Sequence, residues 1–367
     1  MAGSSFGNIF KITTWGESHG KGIGVVVDGV PAGVELSEAD LQPFLNRRKP
    51  GQSRFSTPRS EDDQVEILSG VFEGKTTGTP ISLVVYNKTQ RSSDYSEIAS
   101  YYRPGHADYT FDMKYGFRDY RGGGRSSGRE TTARVAAGAI AIKVLNSLGI
   151  EVHAYTKAIG DVEISEDNFN PEEIFNNMLY MPDADAAKRA EKLIDEKRSQ
   201  TDSVGGVVEC VVTGLMSGVG EPVFEKLNAN LAKAIVSIGA VKAFEIGDGV
   251  KAARAFGSEN NDAFKADEDG KIVKETNHSG GVLGGISDGS ALLLRAYFKP
   301  TPSIYKTQNT VNKKGENITI NIKGRHDPII VPRAVVVVES MTAITVLDLL
   351  LVSMTSNIEK IKQFFDR

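Results

Sequence analysis

The chain has 367 residues, enough for a large core in one elaborate domain or two. Its 43 Lys and Arg stand against 47 Asp and Glu, net −4, which excludes a protein held to nucleic acid by a general basic field. Arginines gathered in glycine-rich turns are then a local positive patch suited to a small anionic ligand. A single cysteine, Cys210, excludes an intrachain disulfide and a cysteine-built zinc site, and the apolar run around it reads as a buried strand.

In chain order, the first ten residues lack a basic start followed by an apolar block, and the longest apolar segment, 342–354, is broken by Asp348. The expectation is a soluble, cytoplasmic protein with no membrane span. Residues 8–15 and 23–28 read as strands separated by the loop GESHGKG. Ser37, with Asp40 three positions on, opens a helix that carries Arg47 and Arg48 to its end, where Pro50 and Gly51 stop it. The following loop, KPGQSRFSTPRS, holds Arg54 and Arg59 among turn residues, as an anion clamp or as a solvated loop. Residues 65–71 and 80–86 read as two further strands, and a Tyr-rich, irregular connection from Asp94 leads to RPGHAD.

At 121–141 comes RGGGRSSGRETTARVAAGAIA, the stretch the chain is organised around. Gly122 to Gly124 let the backbone approach a ligand or take positive φ, Ser126 and Ser127 supply hydroxyls, and the alanine-rich run reads as a helix to about Leu148. Amides at a helix start beside Arg125, Arg129 and Arg134 make a cradle for phosphate or carboxylate; the competing reading is a flexible capped loop with solvated arginines.

Beyond it, residues 151–164 and 205–214 read as strands, 186–198 as a charged helix and 222–238 as a helix. The segment 165–202 is polar with little apolar periodicity and is expected as a peripheral helical insertion without chemistry. Then follow a strand at 240–249, a polar excursion at 258–277, a glycine-rich turn at 280–289, a strand at 290–299 and the stiff loop KPTPS. The apolar run after GRHDP, opened by Pro332 and Arg333, reads as a buried helix. The order of strands, arginine-glycine loop and apolar helix occurs twice, though no sequence repeat establishes a duplication.

GESHG formally matches a nucleophile elbow, but a helix should follow its serine, whereas glycines and a β-branched strand follow Ser18. A loop histidine between glycines suits general acid work, because its pKa of about 6.5 lets it hold a proton near neutrality. His19, His106 and His326 sit in such settings, each with a solvated loop histidine as the plain alternative. No pair has metal-ligand spacing, so no catalytic metal is expected. RGGGR is one copy leading into a helix, unlike the repeated RGG of RNA-binding tails, and GGVLGG lacks the helix and acidic residue of a dinucleotide fingerprint.

Taken together, GESHGKGIGVVVDGVPAG at 16–33, RRKPGQSR at 47–54, RPGHADYTFDMKYGFRDYRGGGRSSGRETTARVAAGAIA at 103–141, EIGDG at 245–249, NHSGGVLGGISDG at 277–289, KPTPS at 299–303 and GRHDP at 324–328 resemble the chorismate synthase family, in its order and over nearly the whole chain. The resemblance implies an α+β fold, a β-α-β sandwich in one large domain over 1–367 with pseudo-symmetric halves, usually as a homotetramer. It implies the 1,4-elimination of phosphate from 5-enolpyruvylshikimate 3-phosphate to give chorismate, with reduced FMN required although no net redox change occurs. Matching positions would make His19 the acid that protonates the departing phosphate, His106 the group managing flavin protonation and Asp327 the residue tuning the flavin ring, with Ser18 and Ser127 completing the network. Arg48, Arg54, Arg129, Arg134 and Arg325 would hold substrate anions, Arg48 and Arg54 also reaching NADPH in members that use it. Flavin contacts would come from Arg125, Ser126, Ser127, Gly239, Ala240, Gly284, Lys299, Pro300, Thr301, Pro302, Ser303 and Arg325. Gly128 stands where many members have Ala, and Gly239 where an Asn is frequent.

Overall fold

The computed structural model describes residues 3–55, 62–88, 97–322 and 327–365. Ten strands form two antiparallel five-stranded sheets. The first runs in the order Ser5–Phe6, Lys11–Gly16, Gly22–Asp28, Ile81–Tyr86, Val65–Ile67; the second in the order Val241–Ile246, Leu292–Phe298, Gly206–Thr213, Glu151–Ile159, Val162–Glu163. Lys11–Gly16 and Leu292–Phe298 alternate in burial residue by residue, the period-two signature of strands with one face on a core.

Two helices fill the space between the sheets. Thr131–Ser147 lies on Gly22–Asp28 and Ile81–Tyr86, Val331–Ser353 lies on Glu151–Ile159 and Gly206–Thr213, and the two helices pack against each other, flanked by Glu38–Arg48 and Leu227–Val236. This is the β-α-β sandwich expected of the sequence. The central helices touch where Gly138 meets Ser340: a Cβ added at Gly138 would fall 2.2 Å from the Ser340 Cβ and 2.6 Å from its Cα. Only glycine permits that approach.

Val331–Ser353 is the one helix among the described residues long and apolar enough to cross a membrane, but 89% of its apolar window is buried inside the protein, as the central element of the sandwich. Its Asp348 has a structural task. The carboxylate accepts the backbone N–H groups of Asn8, Ile9 and Phe10 and so fastens the turn before the first long strand; burial nevertheless holds its pKa above the ordinary carboxylate value.

The Glu38–Arg48 helix begins as expected, with the Asp40 carboxylate accepting the Ser37 N–H at 2.8 Å. Elsewhere the boundaries move. The expected 65–71 strand divides into Val65–Ile67 and Val71–Phe72 at Gly70, whose φ is +81°. The expected helix at 222–238 starts only at Leu227. Helices Asp108–Tyr115 and Ile358–Phe365 stand where the sequence reading gave none. The segment 165–202 lies at the rim of the second sheet yet roots in the core: Leu179, Met181, Ala186, Ala190 and Ile194 are fully buried, and its helix is Ala184–Ser199.

Candidate active site

The cradle is built differently from a plain helix start. Gly122, Gly123 and Gly124 all have positive φ, two short 3-10 turns follow at Gly124–Ser126 and Gly128–Glu130, and the α-helix begins only at Thr131. Ser126 donates to the Gly123 carbonyl at 2.7 Å, and Ser127 caps the second turn by accepting the Arg129 N–H at 3.3 Å.

Against Gly122 sits the GESHG loop, in which Gly20 N–H bonds to the Glu17 carbonyl and closes a turn over Ser18 and His19. Ser18 Oγ donates to the Gly122 carbonyl at 3.3 Å. The His19 ring lies so close that a Cβ on Gly122 would come within 2.3 Å of its Cδ2. Asp119 lies near enough for His19 to lower its pKa, after the larger effect of Arg121, which grips that carboxylate with Nε and Nη2 at 2.8 Å each.

Behind this loop stands an arginine cluster. Asp63, its side chain wholly buried, accepts Arg48 Nη2 at 2.6 Å on one oxygen and Arg129 Nη1 at 2.7 Å on the other. Burial alone would raise the Asp63 pKa; the two guanidiniums outweigh it and hold it below the usual value. Burial pushes Arg48 the other way, to about 10. Arg48 also donates to the Gly128 carbonyl, while its own carbonyl accepts Arg333 Nε at 3.0 Å, and Arg333 Nη1 reaches Asp327 at 2.6 Å. Arg48, Arg129, Ser127 and Asp327 are thus gathered, with Arg333 as a member the sequence reading did not assign.

A second cluster surrounds His106. Its Nδ1 lies 3.0 Å from the Pro104 carbonyl and its Nε2 2.9 Å from Ser303 Oγ. A carbonyl can only accept, so the proton of the neutral ring is on Nδ1 and the Ser303 hydroxyl donates to Nε2. Burial, reinforced by the charge of Arg103, pushes the imidazole down to about 4. KPTPS is clamped on the same turn: Lys299 Nζ donates to the Gly105 carbonyl at 2.8 Å, and Pro302 packs where a Cβ of Gly105 would be. Lys299 N–H bonds to the carbonyl of Ala240, whose φ is +74°, and Pro300 backs onto Gly205. Ser203 Oγ donates to the Thr301 carbonyl and Val204 N–H to the Pro328 carbonyl, which stitches this loop to the segment bearing Asp327.

Three of the named residues are engaged otherwise. Arg125 donates to Thr14 Oγ1 and to the Gly16 carbonyl. Arg134 bonds to Glu130 and, through Ser237, to the strand approach that carries Gly239 and Ala240. Arg54 turns to the surface and pairs with Glu191 and Asp195, away from Asp63. Gly284 forms the tip of a separate hairpin, Val282–Leu283 with Ile286–Ser287, and Arg325 and His326 lie outside the described residues. A cavity of about 590 Å³ opens beside the arginine cluster, walled by Arg47, Arg54, Phe175, Tyr180 and Arg333; neither histidine lines it.

Gly128, Gly239 and Gly284 are exposed, and a Cβ added to any of them would meet nothing beyond its chain neighbours within 4 Å, so the backbone there is sterically accessible to a ligand. Among the described residues no group of His, Cys, Asp and Glu is placed to hold a metal ion.

Fold and site define a layered α+β protein with a buried arginine cluster beside the His19 loop and a second cluster around His106. A family model described as chorismate synthase matches residues 10–351. Proteins named chorismate synthase from Agathobacter rectalis and Lachnospira eligens are 70% and 66% identical over the whole of both chains, and one from Cytophaga hutchinsonii is 52% identical over 94% of this chain and 96% of its own. A solved structure titled as the crystal structure of chorismate synthase superposes with a TM-score of 0.76 at 31% identity, covering 98% of this chain and 97% of the other. The chain belongs to the chorismate synthase family. Its activity is that family's, a lyase reaction that eliminates phosphate to form chorismate in the shikimate route to aromatic amino acids.

Proposed function

We propose that the chain converts 5-enolpyruvylshikimate 3-phosphate to chorismate with reduced FMN as cofactor, as a homotetramer of single-domain chains in the cytoplasm. The observation that carries the assignment of roles is the placement of His19 against the cradle at Gly122, with the Arg48, Arg129 and Arg333 cluster behind it. The substrate bears one phosphate and two carboxylates, and the guanidiniums of Arg48, Arg129 and Arg333, gathered around Asp63 and Asp327, are donors of the kind that bind such anions.

In this reading Arg48 and Arg129 orient the substrate anions, with Arg134 and Arg325 at their margins and Arg54 recruited from the surface. His19 gives its ring proton to the departing phosphate, which would otherwise leave as a poor, highly charged group. Ser18 and Ser127 hold the surrounding backbone. The flavin, when bound, supplies an electron-rich ring that promotes loss of phosphate and is returned unchanged. Arg125, Ser126, Ser127, Gly239, Ala240, Gly284, Arg325 and the loop from Lys299 to Ser303 would hold it. His106, neutral with its proton on Nδ1, would answer protonation changes on that ring, and Asp327, steered by Arg333, would face it. NADPH is the reductant proposed, reached through Arg54. Apolar side chains left exposed, among them Val223, Phe224, Ile358 and Phe365, support an assembly of several chains.

The test of roles is anaerobic turnover by wild type and His19→Ala. A loss of about 10²–10⁴-fold in kcat with a smaller change in KM supports His19 as the acid. A raised KM with intact kcat makes it a phosphate-binding residue instead. Turnover with NADPH and oxidised FMN alone tests the reductant.

A further inference from the structure

Asn87 follows the strand Ile81–Tyr86 and belongs to neither histidine loop, yet its side chain makes three directional contacts in the first cluster. Nδ2 donates to the Glu17 carbonyl at 3.0 Å and to the Gly20 carbonyl at 2.9 Å, the two ends of the turn that carries Ser18 and His19. Oδ1 accepts Arg129 Nε at 2.5 Å. Its backbone N–H bonds to the Lys21 carbonyl, which continues the strand ladder and fixes where the side chain starts. The amide orientation is not arbitrary, because two carbonyls can only accept and a guanidinium can only donate.

We propose that Asn87 is a positioning residue for His19, clamping the turn that carries it and tying that turn to the anion-holding Arg129. The chain of contacts runs from the His19 turn through Asn87 to Arg129, then through Asp63 to Arg48, so the proton donor and the anion-holding guanidiniums share one rigid frame. No other side chain of this size does the same. Aspartate keeps the acceptor for Arg129 but presents an oxygen to two carbonyls; serine and alanine cannot span both ends of the turn. A displacement of about 1 Å in a catalytic group costs on the order of 10²-fold in rate, which makes such a clamp consequential.

The positioning itself does not depend on the acid role of His19; its effect on rate does. The experiment therefore has two readouts on the full-length enzyme with Asn87→Ala and Asn87→Asp. In nitrogen-15 imidazole spectra, both variants should move or broaden the His19 signals while leaving those of His106 in place, His106 serving as the control for an intact fold. In turnover, both should lower kcat by roughly 10–10²-fold, and neither should lower it further in a His19→Ala background. Unmoved His19 signals would overturn the proposal, as would full activity of Asn87→Asp or equal losses with and without His19. If the His19 signals move but His19→Ala turns over normally, the clamp stands and the assignment of His19 as the acid falls.

Discussion

Between pH 6.5 and about 4 the protonation of His106 should cost the protein stability. The ring is held neutral by burial and by the charge of Arg103, and its folded pKa lies near 4 against 6.5 for the free side chain. In that window the unfolded chain binds a proton that the folded one does not, so the stabilisation is complete above the unfolded value and drains as pH falls towards the folded one. The gap of about two and a half pH units, at about 1.4 kcal/mol each, corresponds to about 3 kcal/mol, an upper bound because solvent reaches part of the ring. Denaturant unfolding at neutral and mildly acidic pH, compared between wild type and His106→Gln, isolates the effect, since every other group titrates in both. Wild type should lose up to about 3 kcal/mol more than the variant over that range. An imidazole titration midpoint near 6.5, or the same pH dependence in both proteins, would refute the burial argument.

Gly122→Ala should keep the fold and cost about 10²-fold in kcat, because its Cβ, at a φ of +69°, would displace the His19 ring 2.3 Å away; a kinetically normal variant would mean that the ring has room to move. Asp63→Asn deprives Arg48 and Arg129 of the carboxylate they share and should destabilise by about 3–5 kcal/mol, with inorganic phosphate restoring more stability than it adds to wild type. An equal response to phosphate in both proteins would count against an anion site there. Gly138→Ala should cost about 2 kcal/mol or more, since the obstacle includes the Ser340 Cα at 2.6 Å and outweighs the gain of about 1 kcal/mol in helix propensity. Ser340→Gly should rescue it only in part; complete rescue would place the clash in the side chain alone.

The residues that could be read from sequence are those whose local pattern announces them. Short strand-like runs at 8–15 and 23–28 marked Lys11–Gly16 and Gly22–Asp28, a long, mostly apolar run opened by Pro332 and Arg333 marked Val331–Ser353, and glycine beside arginine marked the cradle. What escaped was made by contacts distant in sequence. Asp63 and Asn87 lie in polar stretches indistinguishable from solvated loop, and acquire meaning only when Arg48, Arg129 and the His19 turn fold onto them. Helix Asp108–Tyr115 has no apolar stripe because it buries Asp108 and Asp112 against Arg103 and Arg118. The polar excursion at 258–277 hides a similar knot, with Lys274 buried between Asp262 and Asp288. In the helix Ala184–Ser199 the buried positions are Ala186, Ala187, Ala190 and Ile194, and the alanines are too small to stand out as an apolar period. Arg54, read as part of the anion site, is drawn off by Glu191 and Asp195, a competition no spacing rule foretells.

The most direct test of the account is phosphate release from 5-enolpyruvylshikimate 3-phosphate under anaerobic conditions, measured with and without reduced FMN in wild type and in His19→Ala. The account predicts one phosphate per chorismate formed by wild type with reduced FMN, none without it, and a rate lower by about 10²–10⁴-fold in the variant. Release that is indifferent to reduced FMN, or undiminished in His19→Ala, would contradict it.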